Sequence, residues 1–295
     1  MRFGIVGTGD MGSAIGKRLL DHGAEVRACV AGRSDRSRRL AEAAGIDDVG
    51  SLVELVRGCD VILSILPPSA APAVADDLAR VVREADTAVT VVDANAVAPA
   101  TARQMADVLG DVGATFVDGS IIGPPPEGDR TPRLFLSGPS TDVAEVLTAH
   151  GMDVRRVSAE VGAASALKMS FGALTKGVTA LATQLLVAAA RNDVLDALID
   201  ELDQRQGALL QVAERAIPPM PAKSRRWVGE MEEIDAAFAA AGLPSGTYRG
   251  IAQLYRWVGE HPLAEEHPET RETARSLAEV IALLAHGTDE AADGA

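Results

Sequence analysis

The chain opens with M-R-F-G-I-V-G-T-G-D-M-G-S-A-I-G, Met1 to Gly16, and this stretch decides the fold. Phe3–Val6 is a short apolar run of the kind that forms a buried parallel strand. Gly7, Gly9 and Gly12 follow at once, and Met11–His22 has the pattern of a helix that closes before Gly23. Strand, glycine turn and helix are the context in which G-x-G-x-x-G carries meaning. Gly7 makes the tight turn, Gly9 removes a side chain so that backbone can approach a pyrophosphate, and Gly12 lets helix pack on strand. The free N–H groups and positive dipole end of the helix then face a diphosphate. A dinucleotide site is expected, with Gly7, Gly9, Asp10, Met11 and Gly12 against the cofactor.

Bulk properties narrow the class. A chain of 295 residues has room for two domains, and 47% hydrophobic with 24% charged residues is ordinary for a globular protein. Acidic side chains outnumber basic ones by 42 to 28. The resulting −14 argues against nucleic acid and anionic membrane as partners; a small-molecule substrate is expected, anionic in spite of that charge. Cys29 and Cys59 fall in or beside apolar strands and read as buried free thiols rather than a disulfide or a metal pair, so no metal is expected. The first strand begins at residue 3, which leaves no room for a signal peptide. Lys168 and Lys176 interrupt the most apolar helix, so no clean membrane span is expected and the cytoplasm is the expected compartment.

Along the chain, strands are expected at 27–31, 61–66, 88–93, 115–117, 134–136 and 154–157, with helices at 37–44, from about Pro99, and at 142–150. This alternation indicates an α/β Rossmann fold, doubly wound on a mostly parallel sheet, over residues 1–158. After residue 158 the strand pattern stops. Helices are expected at about 161–191, 193–215, 224–241, 246–259 and 268–286, giving an all-α domain over 159–287 and a disordered tail over 288–295. The helix between Gly162 and Ala190 is apolar on nearly all sides and should be buried all round, which points to a homodimer.

The end of the second strand selects the nucleotide. An acidic residue there binds the ribose 2′-hydroxyl in NAD proteins. Here the place reads V-A-G-R-S, with Arg33 and Ser34 and no carboxylate, so NADP (as NADPH in the reductive direction) is expected over NAD. Ligands of such sheets lie outside the carboxyl ends of the strands. Those ends hold Leu66 and Pro67, then Asn95, then Asp118 to Pro124 with Ser120, Ile121 and Gly123. Asn95 and Ser120 offer hydrogen bonds at strand tips. Lys168 lies in an otherwise apolar helix, and Gly172, Thr175 and Thr179 share its face at helical spacing. An ammonium there is costly unless it is used or reaches water. It can donate a proton as a carbonyl oxygen gains negative charge. Lys176 reads instead as a snorkelling side chain.

Taken together, G-T-G-D-M-G with Met11, the segment Val92–Arg103, Asp118–Pro124 and Gly162–Lys168 resemble the β-hydroxyacid dehydrogenase/6-phosphogluconate dehydrogenase superfamily. The resemblance runs along nearly the whole chain. It implies that Lys168 is the general acid/base and that Asp118–Pro124, including Ser120, is the substrate-binding motif. The segment Lys223–Ile234 resembles a short all-helical variant of the second domain, with Arg226 and Trp227 as expected substrate contacts. Two features depart from the pattern. Phe171 and Gly172 stand where an asparagine orients substrate, and Ile122 stands where the glycine motif carries a serine. The implied reaction is reversible hydride transfer between NADP(H) and a small hydroxy acid or oxo acid, or an aldehyde. Imine reduction on the same fold and a non-catalytic NADP-binding sensor are the alternatives.

Overall fold

A computed structural model describes residues 1–266 and 273–286. The N-terminal compact unit runs from Met1 to Met169. Its first strand, β1 (Arg2–Val6), leads through the glycine turn into α1 (Asp10–Asp21). Then follow β2 (Glu25–Ala28), α2 (Asp35–Ala44), β3 (Asp47–Asp48), α3 (Leu52–Gly58) and β4 (Val61–Ser64). The second half contains α4 (Ala71–Ala85), β5 (Thr90–Asp93), α5 (Pro99–Gly110), β6 (Thr115–Ile122), β7 (Arg133–Ser137), α6 (Val143–Ala149) and β8 (Asp153–Ser158). One sheet holds all eight strands in the order β3-β2-β1-β4-β5-β6-β7-β8. Every pairing is parallel except β6 with β7.

Strand parity builds the two faces. Phe3 and Ile5 point to one side and pack with Ile15 and Leu19 of α1 and with Val26. Val6 points to the other side and joins Leu55, Leu78 and Leu109 from α3, α4 and α5. The sheet is therefore buried on both faces, as a parallel sheet requires.

The structure moves several expected boundaries. β2 spans 25–28 rather than 27–31, because the chain turns at Gly32, where φ is +71°. β6 continues five residues beyond 117, because Gly119 presses against the Asp93 carbonyl; a Cβ there would lie 2.9 Å from that oxygen. The N-terminal unit also passes the expected boundary at 158. The long helix α7 (Ala163–Arg191) begins inside it, and its first residues are hydrogen-bonded to side chains of β6 and β7.

The second unit, from Ser170 onward, consists of helices joined by turns and has no strand among its described residues. It contains the rest of α7, then α8 (Leu195–Ala216), α9 (Ser224–Ala240), α10 (Thr247–Glu260) and α11 (Leu277–His286). Trp227 meets Tyr255 edge-on at 5.2 Å, and Phe238 meets Tyr248 edge-on at 5.2 Å. The early part of α9 thus faces the late part of α10 and the reverse, so the two run antiparallel. Residues 273–276 are not helical, so the helix expected from 268 starts at Leu277; its expected first residues, 268–272, and the whole tail expected over 288–295 lie outside the described residues.

Two expectations for α7 need correction. The helix is not buried all round: Phe171, Leu174, Leu181 and Leu185 are exposed, the most open being Leu174 at 67%. Among the described residues it is also long and apolar enough to cross a membrane, with mean hydropathy 1.4, because the apolar residues around the lysines outweigh them.

Candidate functional site

The glycine turn has the geometry of a phosphate cradle. Gly7 adopts φ +100°, and a Cβ on it would meet the Ile65 carbonyl oxygen at 2.2 Å. A Cβ on Gly12 would lie 1.9 Å from the Gly7 oxygen, so this glycine is required for α1 to sit on the turn. Gly9 differs from both. It immediately precedes α1 with φ −76° and ψ −168°, which any residue can adopt, and a Cβ there would meet nothing within 4 Å. No contact within the chain requires glycine at position 9. What the missing side chain leaves open is the approach to the N-terminus of α1, where backbone N–H groups await an anion. Asp10 at the start of α1 would oppose a diphosphate, but the Arg36 guanidinium is 2.6 Å from its carboxylate and offsets the charge. Met11 is half-buried and packs against the core on the α1 side of the sheet.

At the adenosine end, the Ser34 hydroxyl accepts from the Ser37 N–H at 3.2 Å and starts α2. The Arg33 backbone oxygen accepts from the Arg38 guanidinium, while the Arg33 side chain is half-buried beside it. The nearby Asp48 carboxylate is engaged by the backbone N–H groups of Val30 at 3.2 Å and Gly50 at 3.0 Å.

The strand ends of β4 to β6 correct the roles expected of two polar residues. Asn95 is buried, and its amide donates to Ser64 Oγ at 2.9 Å and to Asp93 Oδ1 at 2.5 Å. Its carbonyl oxygen accepts from the Leu66 N–H. With its amide fully used, Asn95 holds the Leu66–Pro67 loop in place rather than facing a ligand. Ser120 is fully buried and donates to the Ala164 carbonyl at 2.8 Å, which ties β6 to α7 instead of presenting a hydroxyl to substrate. Strand parity explains this. Ser120 lies two residues after Asp118 and shares its face.

Asp118 is the functional residue that the sequence reading passed over. It is fully buried, and its carboxylate accepts from Ser137 Oγ (2.7 Å), Ser165 Oγ (2.7 Å), Gly162 N (2.9 Å) and Ser165 N (3.1 Å). A carboxylate that collects the first N–H groups of a helix fixes that helix in place and complements its dipole. The available signal was an aspartate closing an apolar strand. Three residues into α7 from Ser165 comes Lys168, whose Nζ donates to the Ile121 carbonyl at 2.5 Å. Ile121 lies three residues past Asp118, which pairs in register with Asp93 at the end of β5. The lysine ammonium therefore stands at the carboxyl edge of the sheet, half-buried. Gly123, with φ +131°, begins the proline loop beside it and is exposed.

Burial pushes the Asp93 carboxyl up to about 7, with Asp118 on the neighbouring strand acting in the same direction. A carboxyl raised in the folded state favours folding most while it is protonated. Its contribution is full below about pH 4 and declines as pH rises to about 7. A displacement of this size corresponds to on the order of 4 kcal/mol. Asp93→Asn is expected to flatten that decline, read by denaturant unfolding at a series of pH values; an unchanged slope would show that Asp93 is not its source.

In the helical unit, a Cβ on Gly172 would lie 3.4 Å from the Ile234 side chain, so α9 packs against the helix at this position. Thr175 donates to the Phe171 carbonyl at 3.0 Å. Arg226 is exposed and lies 3.5 Å from the largely buried Glu230 one turn on. Lys176 does not snorkel: its Nζ is 2.7 Å from Glu230 Oε2, with both side chains largely buried. Among the described residues no group of three or more His, Cys, Asp or Glu is arranged to hold a metal.

A doubly wound sheet, a glycine cradle at the crossing of β1 and α1, and a helix end open to an anion define a dinucleotide-binding protein. The chain belongs to the family described as the NAD binding domain of 6-phosphogluconate dehydrogenase, which matches residues 2–157. Residues 189–258 match a domain of unknown function, DUF1932. An uncharacterised 28.5 kDa protein of Methanothermus fervidus is 27% identical over 88% of this chain and 100% of its own length. A conserved protein of unknown function with structural similarity to 3-hydroxyacid dehydrogenases is 27% identical over 88% of this chain and 96% of its own, with TM-score 0.65. The Mycobacterium tuberculosis 3-hydroxyisobutyrate dehydrogenase solved with L-serine shares the fold at TM-score 0.71 and 18% identity, over 96% and 98% of the two chains. So does an imine reductase variant from Myxococcus stipitatus in complex with NAD+, at TM-score 0.54 and 20% identity over 96% and 98%. The family makes the N-terminal unit a dinucleotide-binding domain of the 6-phosphogluconate dehydrogenase kind, and the neighbours share the fold.

Proposed function

We propose that the protein moves hydride between NADP(H) and a small hydroxy acid or its oxo form, with Lys168 giving and taking the proton. The observation that carries this reading is the Lys168 ammonium, held on the Ile121 carbonyl at the carboxyl edge of the sheet. When bound, the nicotinamide supplies or accepts the hydride. The chain supplies the rest. Gly9 leaves the backbone N–H groups of α1 open to the pyrophosphate. Asp118 fixes the first turn of α7, and that turn holds the ammonium where a substrate oxygen can take its proton. In the oxidative direction the deprotonated amine takes the hydroxyl proton.

NADP is favoured because the turn after β2 carries Arg33 and Ser34 where NAD proteins carry an acidic residue. One charge-assisted bond to the 2′-phosphate corresponds to roughly 10- to 150-fold in preference. Arg33→Ala is expected to lower the ratio of NADPH to NADH affinity by at least about tenfold in parallel titrations; an unchanged ratio would remove Arg33 from the site.

Imine reduction is the second reading, supported by the imine reductase among the fold neighbours. A substrate panel containing oxo acids, aldehydes and imines, followed by nicotinamide absorbance, separates the two. The exposed apolar face of α7 supports a homodimer, with a second copy covering Phe171, Leu174, Leu181 and Leu185. A monomer mass by light scattering would end that part of the proposal.

A further inference from the structure

Within the N-terminal unit, β1 lies between β2 and β4, so the strand order reverses between β1 and β4. Such a reversal opens a crevice at the carboxyl ends of the strands, and dinucleotides lie across it. Gly7 follows β1 on one side of this crevice, and Leu66 and Pro67 follow β4 on the other. The two sides are in contact: a Cβ on Gly7 would lie 2.7 Å from Leu66 Cδ2. The glycine turn and the end of β2 serve the adenosine half of such a ligand, which leaves the loop after β4 to the nicotinamide half.

One buried side chain sets that loop. Pro67 and Pro68 carry no N–H, so the Leu66 N–H is the only backbone donor among these three residues. The Asn95 carbonyl oxygen accepts it. The amide is held in this sense because Nδ2 donates to Asp93 Oδ1 at 2.5 Å and to Ser64 Oγ at 2.9 Å. A reversed amide would set its own N–H groups against that of Leu66. Ser64, Asp93 and Asn95 are each no more than 3% exposed, so bulk water does not compete for these bonds. Pro67, next along the loop, is exposed.

We infer that Asn95 is a positioning residue for the nicotinamide half of the dinucleotide. It touches no ligand itself; through the Leu66 N–H it holds the Leu66–Pro67 wall of the crevice. The inference rests on the dinucleotide reading of the glycine turn, and neither on the substrate nor on a preference for NADP.

Calorimetric titration of the full-length chain separates the two halves of the ligand. NADPH or NADH, whichever binds the tighter, is compared with its own adenosine half, 2′,5′-ADP or ADP. Asn95→Ala leaves the Leu66 N–H without its acceptor and the wall loose. It should weaken the whole dinucleotide by about tenfold or more, while the adenosine half binds as it does to the unaltered chain. An asparagine that served the fold alone would change both affinities or neither. Exchanging the two side chains, as Asp93→Asn with Asn95→Asp, keeps an oxygen on the Leu66 N–H and an N–H···O bond between positions 93 and 95. That double variant should recover most of the lost affinity. Unchanged dinucleotide affinity in Asn95→Ala, an equal loss for the adenosine half, or an exchange variant no tighter than Asn95→Ala would each overturn the inference. Absence of binding of both ligands to the unaltered chain would overturn the dinucleotide reading, and the inference with it.

Discussion

Lys168→Ala is expected to lower turnover by about 10²–10⁴-fold, the range that a positioned proton donor contributes, while NADPH binding persists. The separation follows from the geometry. The dinucleotide cradle is built by Gly7, Gly9 and the start of α1, none of which uses the lysine. The helix that carries Lys168 is held by Asp118 and Ser137, through bonds to Gly162, Ala164 and Ser165, so truncating the lysine leaves its anchorage intact. Lys168→Arg sharpens the test. It retains a positive charge near the Ile121 carbonyl but gives up its proton far less readily. If charge alone mattered, the arginine variant would keep most of the activity. The proton-transfer role requires it to fall with the alanine variant.

Gly9→Val should abolish or severely weaken dinucleotide binding with little effect on stability. The backbone at Gly9 is ordinary and a Cβ would meet nothing, so the fold accepts a side chain there. A bound pyrophosphate would not. Excluding it from the helix N–H groups removes two or more charge-assisted bonds, worth on the order of a hundredfold in affinity or beyond. Gly12→Ala is the contrasting case, because its Cβ would fall on the Gly7 carbonyl oxygen and the fold itself must shift. Loss of binding with an unchanged melting temperature at position 9, against lost stability at position 12, separates a glycine kept for a ligand from one kept for packing. Equal binding by Gly9→Val and the unaltered chain would place the pyrophosphate elsewhere.

The parts of this architecture legible in the sequence share one cause: local pattern and burial agree. Val61–Ser64 and Thr90–Asp93 are apolar runs closed by polar residues, and both are buried strands. The glycine turn was legible because its three glycines follow an apolar strand at fixed spacing, although the chain itself requires Gly7 through the distant Ile65 carbonyl, Gly12 through the Gly7 carbonyl, and Gly9 through no contact. β3 left no signal, being two exposed aspartates that form the edge of the sheet beside β2. Ser120 and Asn95 were misjudged for a different reason. A polar residue at a strand end is as suited to tying elements together as to meeting a ligand, and only the third dimension shows which. Ser120 spends its hydroxyl on Ala164, and Asn95 spends its amide on Ser64, Asp93 and Leu66. Asp118 was hidden likewise, since the groups it collects come from β7 and α7, at least 19 residues away in sequence. Lys176 read as solvated because its partner Glu230 lies on another helix.

The most direct test of the central claim requires no knowledge of the substrate. Titrating the purified chain with NADPH and with NADH, followed by nicotinamide fluorescence, should give saturable binding to both with NADPH the tighter. The absence of saturable binding to either nucleotide would contradict the account at the glycine turn on which it is built.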